Sequence, residues 1–314
     1  MFRRTMRPKT RKQKARQTRL FLSHQTQWKY ATFLVLVAPA IFLRLLTAAY
    51  PIGTSLYLSF TNLNLISGTN RFVGWRNYPL MLYNFGVQSA ISYTIIFVIA
   101  STILELAFGL GIALLLNATF RGRQFARMIN LIPWAIPTIV AAYAFRWLLD
   151  DQFGPLSHWA YLVSGERVVP LISPFGARLS LILVNVWKNA PFMAVVFLAA
   201  LQGVPEELYE AARVDGATSW RRFRSITLPM MRPLMVTMGV FFLVFQLASF
   251  DLIYGLTSGG PGVATSVLAL RIYQEGLLFF KFGFASAISM VLLVLVAVVG
   301  IIGLALFRRF DVSA

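Results

Sequence analysis

The sequence predicts an all-α integral membrane protein with six transmembrane helices and both termini in the cytoplasm. Three observations predict it. The first is composition: of 314 residues, 58% are hydrophobic and only 13% are charged. A soluble domain is typically about 45–50% apolar and about 25% charged. The second is the presence of six apolar runs, each near the ~20 residues that cross a bilayer. The third is that the segments joining them alternate between strongly and weakly basic, as cytoplasmic and outer loops do.

Several function classes are excluded at once. No cysteine is present, so there is no disulfide scaffold, thiolate nucleophile or cysteine metal site. The two histidines, His24 and His158, lie far apart and rule out a His-rich metal centre. A net charge of +18 raises nucleic acid as a partner. However, ten of the twenty-nine Lys and Arg fall in residues 1–29, and most others lie between apolar runs. That placement suits membrane lipid, not nucleic acid.

The runs lie at about 31–58, 90–116, 125–149, 179–202, 234–256 and 283–307. The first exceeds the 7–15 residues typical of a signal-peptide core and follows a long basic leader, so it is read as a span. The second and sixth are the most apolar. The third, NLIPWAIPTIVAAYAFRWLL, contains Pro133 and Pro137. Prolines are tolerated in a span where neighbouring helices cover the freed carbonyls. Residues 1–29 form a basic cytoplasmic tail, 30–310 the transmembrane domain and 311–314 a short C-terminal tail.

Orientation follows from charge. Segments 118–127, 203–232 and 308–314 hold ten Lys or Arg in 47 residues. Segments 60–89, 146–178 and 257–282 hold seven in 89. The first set is therefore cytoplasmic. Asp150-Asp151 falls in an outer loop and reads as a solvated pair.

The cytoplasmic segment 203–232 is patterned beyond its charge. VPEELYEAARVDG reads as a short helix, with Pro205 in the first turn and Glu206 and Glu207 at its positive end. Leu208, Ala211 and Ala212 share one face. Gly216 is a natural stop. Thr218 or Ser219 can cap a second helix, WRRFRSI, which Pro229 is expected to halt. The plainer reading of this segment is a retention signal, or an amphipathic connector resting on headgroups.

Glu210-Ala211-Ala212, Gly216, Ile226 and Leu228-Pro229 resemble the cytoplasmic loop signature of permease subunits of binding-protein-dependent ABC importers. FVGWRNY (72–78), RGRQFARMINLIPWAIP (121–137), VWKNAPF (186–192) and LTSGGPGVATSVL (256–268) look like the maltose and glycerol-phosphate branch. The resemblance spans about residues 31–307. It implies the type I importer fold, in the plasma (inner) membrane of a prokaryote as a multi-pass chain. It also implies that the loop docks on a separate ATPase. Matched to that role are Glu207, Glu210, Ala211, Ala212, Asp215, Gly216, Ile226, Leu228 and Pro229. The implied partners are a second, different permease, a dimer of ATP-binding cassette subunits and an extracytoplasmic solute-binding protein. The chain has no G-x-x-x-x-G-K-[ST] phosphate loop. The expectation is no cofactor in this chain, with ATP and Mg bound by the partner ATPase.

Four ionisable residues fall inside the spans: Arg44, Glu105, Lys188 and Asp251. Such residues face a cavity or a partner. Arg44 and Glu105 are candidates to pair with one another or with a partner subunit. Asn185, Lys188, Asn189 and Phe192 lie on one helical face. Two amides, a cation and a ring suit a hydroxyl-rich ligand. Hydrogen bonding between helices of the bundle is the alternative reading of the same face. The resemblance favours a ligand path and extends it to Trp134, Thr138, Gln246, Ser249 and Asp251. It implies a sugar or related polyol, with glycerol phosphate or another charged solute as the alternative. An integral membrane enzyme is disfavoured by the missing His, Cys and carboxylate clusters. An ion-coupled carrier is disfavoured because no internal repeat is evident and a docking loop would serve no purpose.

Overall fold

The computed structural model describes the backbone over residues 11–311 and side-chain surroundings over residues 32–307. The outer parts of both tails lie outside the described residues. The chain forms two units, Met1–Ser55 and Leu56–Ala314. The first is occupied by helix α1 (Arg11–Ser59), which continues through residue 29 without a break. Its stretch Thr32–Ser59 is the first apolar span.

The second unit opens on the last residues of α1, to Ser59, and then a loop closed by two isolated antiparallel bridges, Thr61 to Phe72 and Asn64 to Thr69. The FVGWRNY stretch anchors this loop. The buried Asn77 side chain donates to the Ser59 and Thr61 carbonyls at 2.7 and 2.8 Å. Tyr78 Oη meets Ser59 Oγ at 2.9 Å. Helix α2 (Asn77–Tyr83) leads into α3 (Phe85–Asn117), whose first turn is capped by the Asn84 side chain accepting the Val87 N–H.

The third apolar run does not cross as a straight span. It divides into α4 (Arg123–Asn130), α5 (Ile132–Ala135) and α6 (Thr138–Leu148), with an 89° bend between Arg123–Ala135 and Thr138–Leu148. Pro137 is the physical cause. A residue before proline is pushed out of the helical region, and Ile136 takes φ −68°, ψ 133°.

Helix α7 (Pro155–Ser164) sits in the next loop. Helix α8 (Pro174–Gln202) is the centre of the bundle. Of its apolar window, 72% is buried, against 6% for the last helix. It packs chiefly on α3. The core around them includes Tyr93, Phe97 and Leu181 in one cluster, and Leu110, Met193, Phe197 and Phe242 in a second.

The fifth span also differs from its expected limits of 234–256. Helix α9 (Glu206–Val214) is followed by a continuous helical stretch, Ser219–Leu247. That stretch comprises α10 (Ser219–Arg222), a wider π-helical segment Phe223–Thr227, and α11 (Leu228–Leu247). Pro229 therefore does not halt the second helix. A proline ring clashes with the carbonyl four residues back. The wider turn just before Pro229 relieves that clash.

At the other end α11 stops at Leu247, and a short helix α12 (Asp251–Leu256) lies against α6. The approach is close: a Cβ built on Gly255 would stand 2.6 Å from the Ala142 Cβ. Helix α13 (Leu268–Tyr273), a π-helical segment Gln274–Leu278 and α14 (Phe282–Asp311) complete the chain. Buried Glu275 pairs with Arg271 at 2.6 Å across this last connection. The described residues thus hold five helices long and apolar enough to cross a membrane, or six with the bent pair.

Candidate functional site

Three helices bring their polar side chains to one buried point. Glu105 of α3 is wholly buried, which demands hydrogen-bond donors. Asn185 Nδ2 and Asn189 Nδ2 of α8 each donate to its Oε1 at 3.1 Å. Gln246 Nε2 of α11 donates to its Oε2 at 2.6 Å and to Thr102 Oγ1 at 3.3 Å. Asn189 Nδ2 also donates to Asn185 Oδ1 at 3.0 Å. Glu105 is thus supplied with donors by amides of α8 and α11.

Lys188 lies on the same stretch of α8 and is also buried. Its ammonium donates to the Trp134 and Ile136 carbonyls. Those carbonyls sit at the bend, where Pro137 brings no N–H. The lysine thus supports the broken helix. Beside it, Trp134 of α5 stacks on Phe192 of α8 with ring centroids 5.0 Å apart and planes at 19°. Trp134 is 47% exposed, so an aromatic face stands open next to the buried polar cluster. Phe192 continues to Phe242 of α11 at 6.3 Å.

The expected ligand residues therefore separate into two groups. Asn185, Asn189 and Gln246 converge on Glu105 in a buried network, while buried Lys188 turns to the bend carbonyls. Trp134 and Phe192 form the open stack, and Thr138 starts α6 half-buried. Ser249 lies in the break after α11, and Asp251 is exposed at the first turn of α12. Among the described residues no hydrogen bond ties the Ser249 or Asp251 side chain to the network. Asp251 is therefore not a mid-span charge. It stands at a helix N-terminus, where a carboxylate is favoured. Sequence reasoning offered Arg44 or a partner subunit as the counterpart of Glu105 and did not name the amides Asn185, Asn189 and Gln246 that donate to it. The signal was the pair Asn185 and Asn189 at i, i+4, which supplies two donors on one face.

The segment 203–232 presents a second candidate surface. Thr218 caps the second helix, its hydroxyl accepting the Arg221 N–H at 3.3 Å. Gly216 between the helices takes φ +72°. Tyr209 Oη meets Thr227 Oγ1 at 3.0 Å, tying α9 to the stretch that follows. Glu207, Glu210, Ala211, Asp215, Gly216 and Pro229 are exposed, whereas Ala212, Ile226 and Leu228 are half-buried. Val214 and Trp220 are 89% and 68% exposed, so the apolar side of this loop is open. In the loop after α6, Asp150 Oδ1 accepts the Phe153 and Gln152 N–H groups at 2.8 and 3.0 Å. Those bonds hold its carboxyl below the usual carboxylate range. It serves a turn, not a reaction.

A bundle with a buried polar centre and an exposed two-helix loop defines a membrane transport component. The chain belongs to the family described as binding-protein-dependent transport system inner membrane component, which matches residues 105–312. It is a multi-pass permease subunit of the inner membrane and not an enzyme. It is similar to the sulfoquinovosyl glycerol transport system permease protein of Agrobacterium fabrum. That match is 36% identical and covers 88% of this chain and 90% of the relative. It is also similar to the trehalose/maltose transport system permease protein of Thermococcus litoralis, 40% identical over 72% of this chain and 76% of the relative. In fold it resembles a chain of the bacterial alginate ABC transporter crystallised with an alginate pentasaccharide-bound periplasmic protein. There the TM-score is 0.79 at 24% identity, covering 93% of this chain and 98% of that one.

Proposed function

We propose that this chain forms one half of the membrane path of an ATP-driven sugar importer. The solute is a mono- or oligosaccharide or a related polyol, delivered by an extracytoplasmic binding protein. A second, different permease lines the other half. Two ATP-binding cassette subunits bind ATP and Mg and dock on the 203–232 loop, so that nucleotide binding turns the cavity outward and hydrolysis resets it. Both termini and that loop face the cytoplasm.

The observation that carries the sugar reading is the half-exposed Trp134 stacked on Phe192 beside a cluster of amides. An aromatic face packs on the apolar face of a sugar ring, and adjacent polar groups fix its hydroxyls. The names of the relatives above support the same solute class. A charged solute is the second reading, prompted by Lys188, whose ammonium the bend carbonyls engage.

Reconstitution tests the proposal. The chain is co-expressed with its second permease, ATPase and binding protein and placed in proteoliposomes with ATP inside. Labelled disaccharide should accumulate, and removal of ATP or of the ATPase should abolish it. Sugar uptake that persists without the ATPase would sink the coupled mechanism.

A further inference from the structure

We infer that a cavity on the outer face, between the 60–84 loop and the start of α14, binds the hydroxyls of a saccharide at a subsite that shares no residue with the central cluster. The inference rests on the sugar reading and on the assigned orientation, and adds a site to them. The cavity holds about 440 Å³, within the range of small-molecule sites. Backbone bonds close its frame. The Leu65 N–H donates to the Phe280 carbonyl and the Gly283 N–H to the Leu63 carbonyl, each at 3.1 Å. Phe280 is held at φ +54°, a genuine outlier for a bulky side chain. Such strain gathers at ligand sites, and here it immediately precedes Lys281, which lines the cavity.

The polar groups that line the cavity are each half used. Glu275 is 2% exposed, and its Oε1 pairs with Arg271 at 2.6 Å. Its Oε2 is buried with no hydrogen-bond partner among the described residues, and Lys281 Nζ stands 3.9 Å from it. A buried oxygen in that state is costly until a donor reaches it. Asn62 Oδ1 accepts the Arg71 N–H, Asn64 Oδ1 the Ile66 and Ser67 N–H groups, and Asn84 Oδ1 the Val87 N–H. Their oxygens are thereby committed, and among the described residues no hydrogen bond uses their three NH2 groups. Asn77 is the reverse: its NH2 serves two carbonyls, and its oxygen is left over. The cavity therefore offers donors from three asparagines and Lys281, and acceptors from Asn77 and Glu275, beside the half-buried ring of Phe284. A hydroxyl both donates and accepts, and a ring covers the apolar face of a sugar. An ion of either sign uses only half of this set. A metal ion is also opposed by Lys281 and Arg271, which flank the one carboxylate.

The test uses the complete transporter, with second permease and ATPase subunits, in nanodiscs without binding protein. Hydrogen–deuterium exchange is followed by mass spectrometry with and without glucose, maltose or trehalose. A sugar that the reconstituted transporter imports should slow exchange of segments 60–84 and 274–284. At roughly ten times its half-saturating concentration the slowing should be about tenfold, because opening then competes with binding. The effect should persist in Trp134→Ala, which removes the central aromatic face. It should vanish in Leu80→Trp, whose larger ring fills the cavity from an exposed position that spares the fold. An imported sugar that leaves both segments unprotected in the wild type overturns the inference without any variant. So does protection that Leu80→Trp retains or Trp134→Ala abolishes, since it is then relayed from elsewhere. Protection by ligand-free binding protein, and by no sugar, would assign the cavity to protein docking and overturn the subsite. Absence of ATP-driven uptake for every sugar would instead remove the sugar reading, and the subsite with it.

Discussion

Asn189 Nδ2 of α8 donates to Glu105 Oε1 of α3 at 3.1 Å, in a pocket that leaves Glu105 no exposed surface. With Asn185 and Gln246 this one carboxyl links α3, α8 and α11, which are far apart in sequence. A polar pin of this kind gives three apolar helices a unique register that lipid-like packing alone does not.

Glu105→Leu should therefore destabilise the bundle. It leaves three buried amides without their acceptor, at about 1–3 kcal/mol for each stranded group. The melting temperature of purified protein, read by fluorescence-detected size exclusion, should fall clearly. Glu105→Gln should fall less, because Gln still offers an acceptor. Equal melting temperatures for wild type and Glu105→Leu would deny the pin its structural role.

Gly216 takes φ +72° with open space where a Cβ would stand. Substitution there acts through the backbone, since a β-branched residue is a genuine outlier in the left-handed region. Gly216→Val should insert in the membrane, because the apolar spans are untouched, yet lose ATPase retention, uptake or both. Gly216→Asn tolerates the left-handed conformation and should stay near wild type. Co-purification and uptake at matched membrane levels decide it. A normal Gly216→Val protein would reduce the loop to a connector.

The contact of α12 with α6 depends on Gly255, where a Cβ would lie 2.6 Å from the Ala142 Cβ. Gly255→Ala should cost about 1–3 kcal/mol by overpacking. Removing the opposing methyl in Gly255→Ala/Ala142→Gly should recover most of the melting temperature. Failure of the double variant to recover would place the strain elsewhere.

Orientation is open to a direct test because the chain has no cysteine of its own. A single cysteine at Glu166 should react with an impermeant maleimide added to whole cells or spheroplasts. One at Thr218 should react only after the membrane is opened. The opposite pattern reverses the assigned topology and takes the docking role of 203–232 with it.

Much of the architecture is determined by sequence alone. The runs of apolar residues fix where helices cross, because a backbone in lipid must satisfy its own hydrogen bonds. The paired prolines mark the interrupted third run. Gly216 and Thr218 mark the helix–turn–helix loop, because left-handed turns and N-caps are local chemistry. Tertiary structure decided the rest. Periodicity shows that Asn185, Lys188 and Asn189 share a face but does not say what covers it. Only the folded bundle sets Glu105 against the amides and the bend carbonyls against Lys188. It also carries the helix past Pro229 through a wider turn and ends α11 at Leu247, so that α12 packs on α6. These outcomes are contacts between residues remote in sequence, and no local pattern encodes them.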